Sequence, residues 1–339
     1  MPLPFDFRRA FGPDAPGANV KPWVLEDYDG KDIVLNAGEQ IIMKVSDYPF
    51  LPSYKGQNLV LTDGTTLLGG DDKAAIAALV TAAEYLAAHP EIPHGPFKMA
   101  FTPDEEVGGL ACNLDLERFG AQVAYTLDGD HAGYYSFETF NAIEGQLFIH
   151  GLNVHPGTAK DIMVNAVEIG ARFISMLPEQ ERPQHTEGRQ GFYHPHGFSG
   201  NVEEATVLCL IRDHDEEQFE ARKRFLASCV EELNRIYGEG RVELKWANGY
   251  YSMKKQVEKV PFMIDYLTQA IRDCGLTPTC LAFRGGTDGS AISQRGLPCP
   301  NLSAGYENGH SRFEFVAIDT MEKNVQILIR LAQIYGQQS

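Results

Sequence analysis

Residues 65–73 read TTLLGGDDK, and the reading of this stretch decides the fold. An apolar run ends in two glycines, two adjacent aspartates follow, and a long Ala-rich segment begins. This is the pattern of a strand-to-helix corner. Packing does not call for two carboxylates at such a corner, because neighbouring acids repel one another when both are ionised. A cation beside them removes the repulsion, so Asp71 reads as a metal ligand at the mouth of a helix. The helix runs to about Ala88, and Pro90 stops it. It is apolar nearly all round (Ala75, Ile76, Leu79, Val80, Ala83, Leu86), which predicts burial on more than one side.

Further acids follow at the same kind of place. FKMAFT at 97–102 is expected to be a strand that ends in Pro103-Asp104-Glu105-Glu106, with a short connection through Gly108-Gly109. AYTL at 124–127 is a second expected strand, ending at Asp128. Ligand sites of open α/β sheets lie at the carboxyl ends of strands. Two adjacent side chains leaving a strand point in different directions. Of Glu105 and Glu106, one can therefore bind metal while the other moves protons, as metal-assisted hydrolysis of an amide requires. The plainer alternative is a solvated acidic turn.

Upstream, residues 1–20 are rich in Pro, Gly and Asp and read as loop or tail, and 23–62 hold short β-like pieces. The texture changes near residue 140. Residues 143–154 and 201–212 alternate as half-exposed strands, 163–176 and 215–237 read as helices, and 241–247 read as a closing strand. Two helix-and-strand units of similar order predict a ferredoxin-like α+β domain over 140–251. After Tyr251 the α/β character returns, with helices over 257–273 and 317–335. The expected organisation is thus a discontinuous α/β domain, 1–139 and 252–339, with the second domain inserted into it.

Composition removes several classes. A net charge of −17 over 339 residues speaks against nonspecific nucleic-acid binding. No window approaches about 20 consecutive apolar residues, so no membrane span is expected. The first residues lack the apolar core of a signal peptide, and the expectation is a cytoplasmic protein. Six cysteines without metal-type spacing read as reduced thiols.

Three further motifs carry candidate chemistry. His310, in GYENGHSRFEF, offers the imidazole that zinc favours beside carboxylates, against the plain reading of a surface histidine. His155, in HPGT at the end of a strand of the inserted domain, is either a turn residue or a donor to a tetrahedral oxyanion. The loop Arg284-Gly285-Gly286-Thr287-Asp288-Gly289 lacks phosphate-loop spacing, and fits a peptide or its carboxylate better. Arg212 is a second candidate carboxylate clamp, and either arginine could instead form an ordinary ion pair.

The strings TTLLGGDDKAAIA, FTPDEEVGG, YTLDGD, NVHPGTAKDIMVNA, TEGRQGFYH, IRDHDEEQFEARKR, FRGGTDG, GLPCPNL and FEFV, in this order, resemble the co-catalytic zinc peptidase family. Within it they resemble the peptidase T (tripeptide aminopeptidase) branch rather than the glutamate carboxypeptidase or deacylase branches. The resemblance implies a zinc-peptidase catalytic domain with a mixed sheet and an inserted ferredoxin-like lid that makes a homodimer. It also implies two zinc ions and a small peptide substrate. Asp71 would bridge the metals, with a cis peptide to Asp72. Glu105 would be the general base, Glu106 and His310 the terminal ligands of one zinc, and Asp128 a ligand of the other. His155 would bind the tetrahedral intermediate, from the partner subunit in many relatives. Arg212, Arg284, Gly285 and Thr287 would hold the substrate's carboxylate end.

One family motif, His-x-Asp on an early strand, has no counterpart here, since no His precedes His89. The resemblance therefore implies a catalytic domain lacking its leading elements. One metal position keeps its donors and the other lacks its histidine. Two alternatives stay open beside tripeptide hydrolysis: a catalytically inactive interaction protein that keeps the lid, and a deacylase-type amide hydrolase.

Overall fold

The computed structural model describes residues 15–103, 105–107, 111, 113–129 and 131–337. Residues 1–14 of the tail expected over 1–20, the Gly108-Gly109 connection and Cys112 lie outside them. The remaining five cysteines are unpaired thiols. No helix among the described residues is long and apolar enough to cross a membrane.

Four short strands come first: β1 (Trp23–Leu25), β2 (Ile33–Asn36), β3 (Ile41–Met43) and β4 (Leu59–Leu61). They wrap a small core of Tyr28, Met43, Leu51, Leu59 and Leu61, closed by Phe315. Helix α1 (Gly70–Ala88) follows, then a single turn α2 (Leu116–Phe119), β5 (Thr126–Leu127) and β6 (Tyr134–Thr139). The chain then builds β7 (Asn141–His150), α3 (Ala166–Met176), β8 (Phe192–Gly200), β9 (Glu204–Asp213), α4 (Glu216–Tyr237) and β10 (Val242–Tyr250). It returns through α5 (Lys254–Val257), α6 (Phe262–Asp273), β11 (Thr279–Phe283) and α7 (Asp288–Gln294). The last elements are β12 (Asn301–Leu302), β13 (Tyr306–Glu307), β14 (Phe315–Ala317) and α8 (Ile318–Gln337).

The middle block is a β-α-β-β-α-β unit whose sheet runs β10-β7-β9-β8, antiparallel throughout, with both helices on one face. Strand β9 shows why: every second residue is buried, so Val207, Cys209 and Ile211 meet Ile169 and Phe173 of α3 and Phe219 and Leu226 of α4. Side-chain caps set where the helices begin. Asn165 accepts from the Val167 amide at 3.0 Å and Asp215 from the Gln218 amide at 2.8 Å. The α3 cap places its start three residues later than the sequence pattern suggests.

The rest is α/β, but its strands fall into two separate four-stranded sheets. One, β1-β4-β14-β13, is antiparallel; the other, β11-β6-β12-β5, is mixed. Helices α1, α6 and α8 pack together over them. Three expectations are corrected here. Residues 97–102 are not a strand; they pair with nothing among the described residues, and a β ladder needs a neighbour to accept its hydrogen bonds. Helix α1 buries Ala74, Ala75, Ala78, Ala82 and Leu86 on one side only, leaving Ile76 46% and Val80 38% exposed. The helix expected over 257–273 is also two, broken at 258–261 around Pro261.

Candidate metal and active site

The corner before α1 is built from its two glycines. Gly69 sits at φ +70°, a left-handed conformation that suits glycine. A Cβ on Gly70 would lie 2.6 Å from Val316 of β14, so only glycine lets the helix start this close to the sheet. The buried Glu314 carboxylate fixes the corner from the other side. Its Oε2 accepts from the Gly69 amide at 2.6 Å and its Oε1 from the Asp71 amide at 2.7 Å. The peptide between Asp71 and Asp72 is cis, as the resemblance implies.

Asp71 meets two residues from distant parts of the chain. His310 Nε2 lies 3.1 Å from Asp71 Oδ2 and 2.8 Å from Glu106 Oε2. Among the described residues these three form the one group of ligand atoms that converge within 4.8 Å. His310 and Glu314 lie on the same loop, so one segment both supplies the imidazole and holds the backbone of the carboxylate opposite it. Asp128, at the end of β5, faces the same cavity of about 500 Å³ and accepts from the Tyr306 hydroxyl at 2.6 Å. Glu105, next to Glu106 on a short 3-10 turn, lines it too.

The electrostatics follow from crowding acids in a half-buried place. Burial, then repulsion from Asp128 and Glu106 working against the His310 hydrogen bond, pushes Asp71 up to about 7. Burial, with Asp128 and Asp71 adding repulsion, takes Asp72 to about 9. Glu105 rises to about 8 for the same reasons, burial first. Hydrogen bonds to Asp71 and Glu106 hold the His310 imidazolium up to about 10. One imidazolium does not neutralise this concentration of carboxyl groups, and two carboxylate oxygens with one imidazole nitrogen form a donor set that suits a divalent metal. The residues therefore fit a metal at Asp71, Glu106 and His310.

The remaining candidates fall elsewhere. His155 lies on a turn of the inserted domain, where its Nδ1 accepts from the Gly157 amide, and it lines neither cavity around Asp71. Arg284 is committed to the inserted domain. It donates to the carbonyls of Thr186, Gly188 and Gln190 and to the Thr186 hydroxyl, and lies over the rings of Phe140 and Phe192. This guanidinium is a tie between the two parts of the molecule, not an open clamp. Arg212 donates one bond, to the Arg284 carbonyl at 3.0 Å, and its Nε is buried without a partner among the described residues. In the glycine loop, Gly286 lines the cavity; Gly285 packs against Phe283, and Thr287 is buried.

Sequence reasoning missed Glu314, Tyr306 and a pair lining the same cavity, where His131 Nδ1 lies 2.5 Å from the buried Glu307 carboxylate, itself bonded by Tyr54. The available signal was position, and only for Glu314, a carboxylate between Phe313 and Phe315.

A profile of the peptidase dimerisation domain matches residues 137–241. The chain is 48% identical over 324 residues to a peptidase T of Caldanaerobacter subterraneus subsp. tengcongensis, covering 96% of this chain and 79% of the relative. It is 49% identical over 324 residues to a peptidase T of Clostridium novyi, covering 96% and 80%. Among solved structures it superposes on the aminopeptidase PepT of Bacillus cereus with a TM-score of 0.71 and 25% identity, over 81% of this chain and 74% of that one. A tripeptidase of Staphylococcus aureus shares the fold at a TM-score of 0.72 and 24% identity, over 83% and 74%. With a buried double-glycine corner, an Asp71–Glu106–His310 centre and these relatives, the chain belongs to the peptidase T family of the M20 metallopeptidases.

Proposed function

We propose that the protein removes the N-terminal residue from tripeptides at a metal centre held by Asp71, Glu106 and His310. The observation that carries this reading is the meeting of these three residues, from three distant segments, with Glu105 beside them in one cavity. Peptidase T relatives at 44–49% identity supply the reaction class.

The metal, zinc by its imidazole-and-carboxylate donors, supplies Lewis-acid polarisation of the scissile carbonyl and a more acidic water when bound. The chain's own residues do the rest. Glu105 takes a proton from the attacking water and returns it to the leaving amine. Glu314 holds Asp71 in register with His310. Asp128, oriented by Tyr306, is the carboxylate that a second metal position would use. His155 of the partner subunit stabilises the tetrahedral oxyanion, which makes a homodimer through the 140–251 domain part of the reading. Arg212, with an undirected Nε, is the residue left to hold the far carboxylate once Arg284 ties the domains.

The test is hydrolysis by the zinc-reconstituted protein of a tripeptide, its N-acetylated form, and the matching dipeptide and tetrapeptide. Release of the first residue from the free tripeptide alone supports the reading. Preferred cleavage of the acetylated substrate overturns it in favour of a deacylase.

A further inference from the structure

The chain passes between the two parts of the molecule twice, between β6 and β7 and between β10 and α5. Side chains lace these crossings together. The Thr139 amide donates to the Ser252 hydroxyl at 3.2 Å, and the Ser252 amide donates to Asn141 Oδ1 at 2.8 Å. Asn141 Nδ2 in turn donates to the carbonyls of Asp213 and His214, between the end of β9 and the start of α4. Both crossings are thus anchored on one short stretch of the inserted domain. The Phe140 amide donates to the Gly285 carbonyl at 3.2 Å, and the next residue of that loop, Gly286, lines the metal cavity.

His214 stands out at this junction. It is 7% exposed, and its ring lies against that of Phe140, with centroids 4.2 Å apart and planes 30° from parallel. Both of its ring nitrogens are buried without a hydrogen-bond partner. Unpaired polar atoms in a buried place cost stability even for a neutral ring, and an unpaired charge costs far more. The surroundings do not compensate a charge. Arg189 and Arg284 are both close enough to repel an imidazolium, and the Glu138 carboxylate is already bonded to Arg189 and Lys254. The flanking acids, Asp213 and Asp215, are bonded to Arg222 and to the Gln218 amide. Burial holds the His214 imidazole below its ordinary range, against the pull of Glu138 and of the Thr139 backbone, and the two arginines add to the lowering.

We propose that His214 is an acid-released latch on this hinge. Neutral, it packs on Phe140 and the crossings stay laced. Protonated, it leaves Phe140 for water, and the crossings loosen, which frees the two parts to move about them. The sign follows from linkage. A histidine that is neutral only when docked stabilises the docked state fully above its ordinary value of about 6.5, and loses that contribution as pH falls below it. Glu138, held down to about 2, stays ionised across that range and is not the sensor. The proposal does not depend on the peptidase reading, and its test reads local opening rather than turnover.

The full chain and its His214→Phe variant are compared by hydrogen exchange between pH 8 and pH 5, with rates corrected for the intrinsic effect of pH. The reporters are the amides of Thr139, Phe140 and Ser252. In the unaltered protein their exchange should rise about tenfold from pH 7.5 to pH 5.5, because a released imidazole is favoured about tenfold by protonation one unit below its ordinary value. The variant has a ring of similar shape that takes no proton, and its three amides should keep their pH 7.5 rates throughout. The histidine ring signal that the variant lacks in nuclear magnetic resonance should titrate over the same range. An equal rise in both proteins overturns the proposal. So does titration of His214 with the three amides unchanged, or no titration of His214 above pH 5. If His214→Phe does not fold, His214→Leu takes its place, and a flat exchange profile in the unaltered protein refutes the latch by itself.

Discussion

Removing the Glu314 carboxylate should loosen the metal centre from behind. Glu314→Ala takes away two charge-assisted hydrogen bonds, to the amides of Gly69 and Asp71, in a place where the side chain is 2% exposed. Hydrogen bonds to charged groups contribute about 1.5–3 kcal/mol each. The loss is partly offset because a buried charge disappears, which leaves about 3 kcal/mol. Unfolding entropy of about 2.1 cal/mol/K per residue over 339 residues is about 0.7 kcal/mol/K, so the melting temperature should fall by about 4 °C. Because the Asp71 amide is no longer fixed relative to His310, zinc affinity should fall about 10–100-fold, the range for losing a partner that orients a ligand. Glu314→Gln keeps one acceptor oxygen and should lose about half as much stability. The assays are thermal unfolding without metal and zinc competition against a chromophoric chelator. A folded Glu314→Ala protein that binds zinc with unchanged affinity refutes the reasoning, since the clamp would then not determine where Asp71 sits.

His310→Ala removes the only nitrogen donor of the Asp71–Glu106–His310 group and should abolish tight zinc binding while the far-ultraviolet dichroism stays unchanged, because the side chain is more than half exposed. Phe173→Ala, fully buried between α3 and the inserted sheet, should cost about 3–5 kcal/mol in denaturant unfolding and leave the metal affinity of the folded protein alone. The junction between the two parts of the molecule should be acid-sensitive. Hydrogen bonds from Arg189, against the effect of burial, and then from Lys254 hold Glu138 down to about 2. A carboxyl depressed in the folded state stabilises it above the unfolded value of about 4.5, and loses that contribution as pH falls toward 2. Both basic partners are substantially exposed, so the effect is about 1 kcal/mol. Glu138→Gln should lower stability at pH 7 by that amount and match the unaltered protein near pH 2.

Much of this molecule is written in local pattern. The GGDD corner, the acids after 102 and 127 and the alternation of 143–154 and 201–212 reflect forces that act within a few residues, and the elements follow them. What was not legible depends on distant neighbours. FKMAFT has the composition of a strand, yet a strand exists only where another chain segment accepts its hydrogen bonds, and none among the described residues does. The apolar outer face of α1, at Ile76 and Val80, signals burial that the described fold does not supply. Arg284 carries the charge a substrate carboxylate needs, but three carbonyls of the inserted domain reach it, and no local pattern in the sequence indicates that. Glu314 could have been noticed as a carboxylate between Phe313 and Phe315; that it grips Gly69 and Asp71 across the chain could not.

The central claim is that Glu105 moves the proton at a centre that Asp71, Glu106 and His310 hold together. The direct measurement is zinc content and tripeptide turnover side by side for the unaltered protein and Glu105→Gln. The expected result is unchanged zinc, turnover by the unaltered protein, and a fall in kcat of at least about 10²-fold in the variant. Equal turnover in the two proteins, or loss of zinc together with activity in Glu105→Gln, would contradict the assignment.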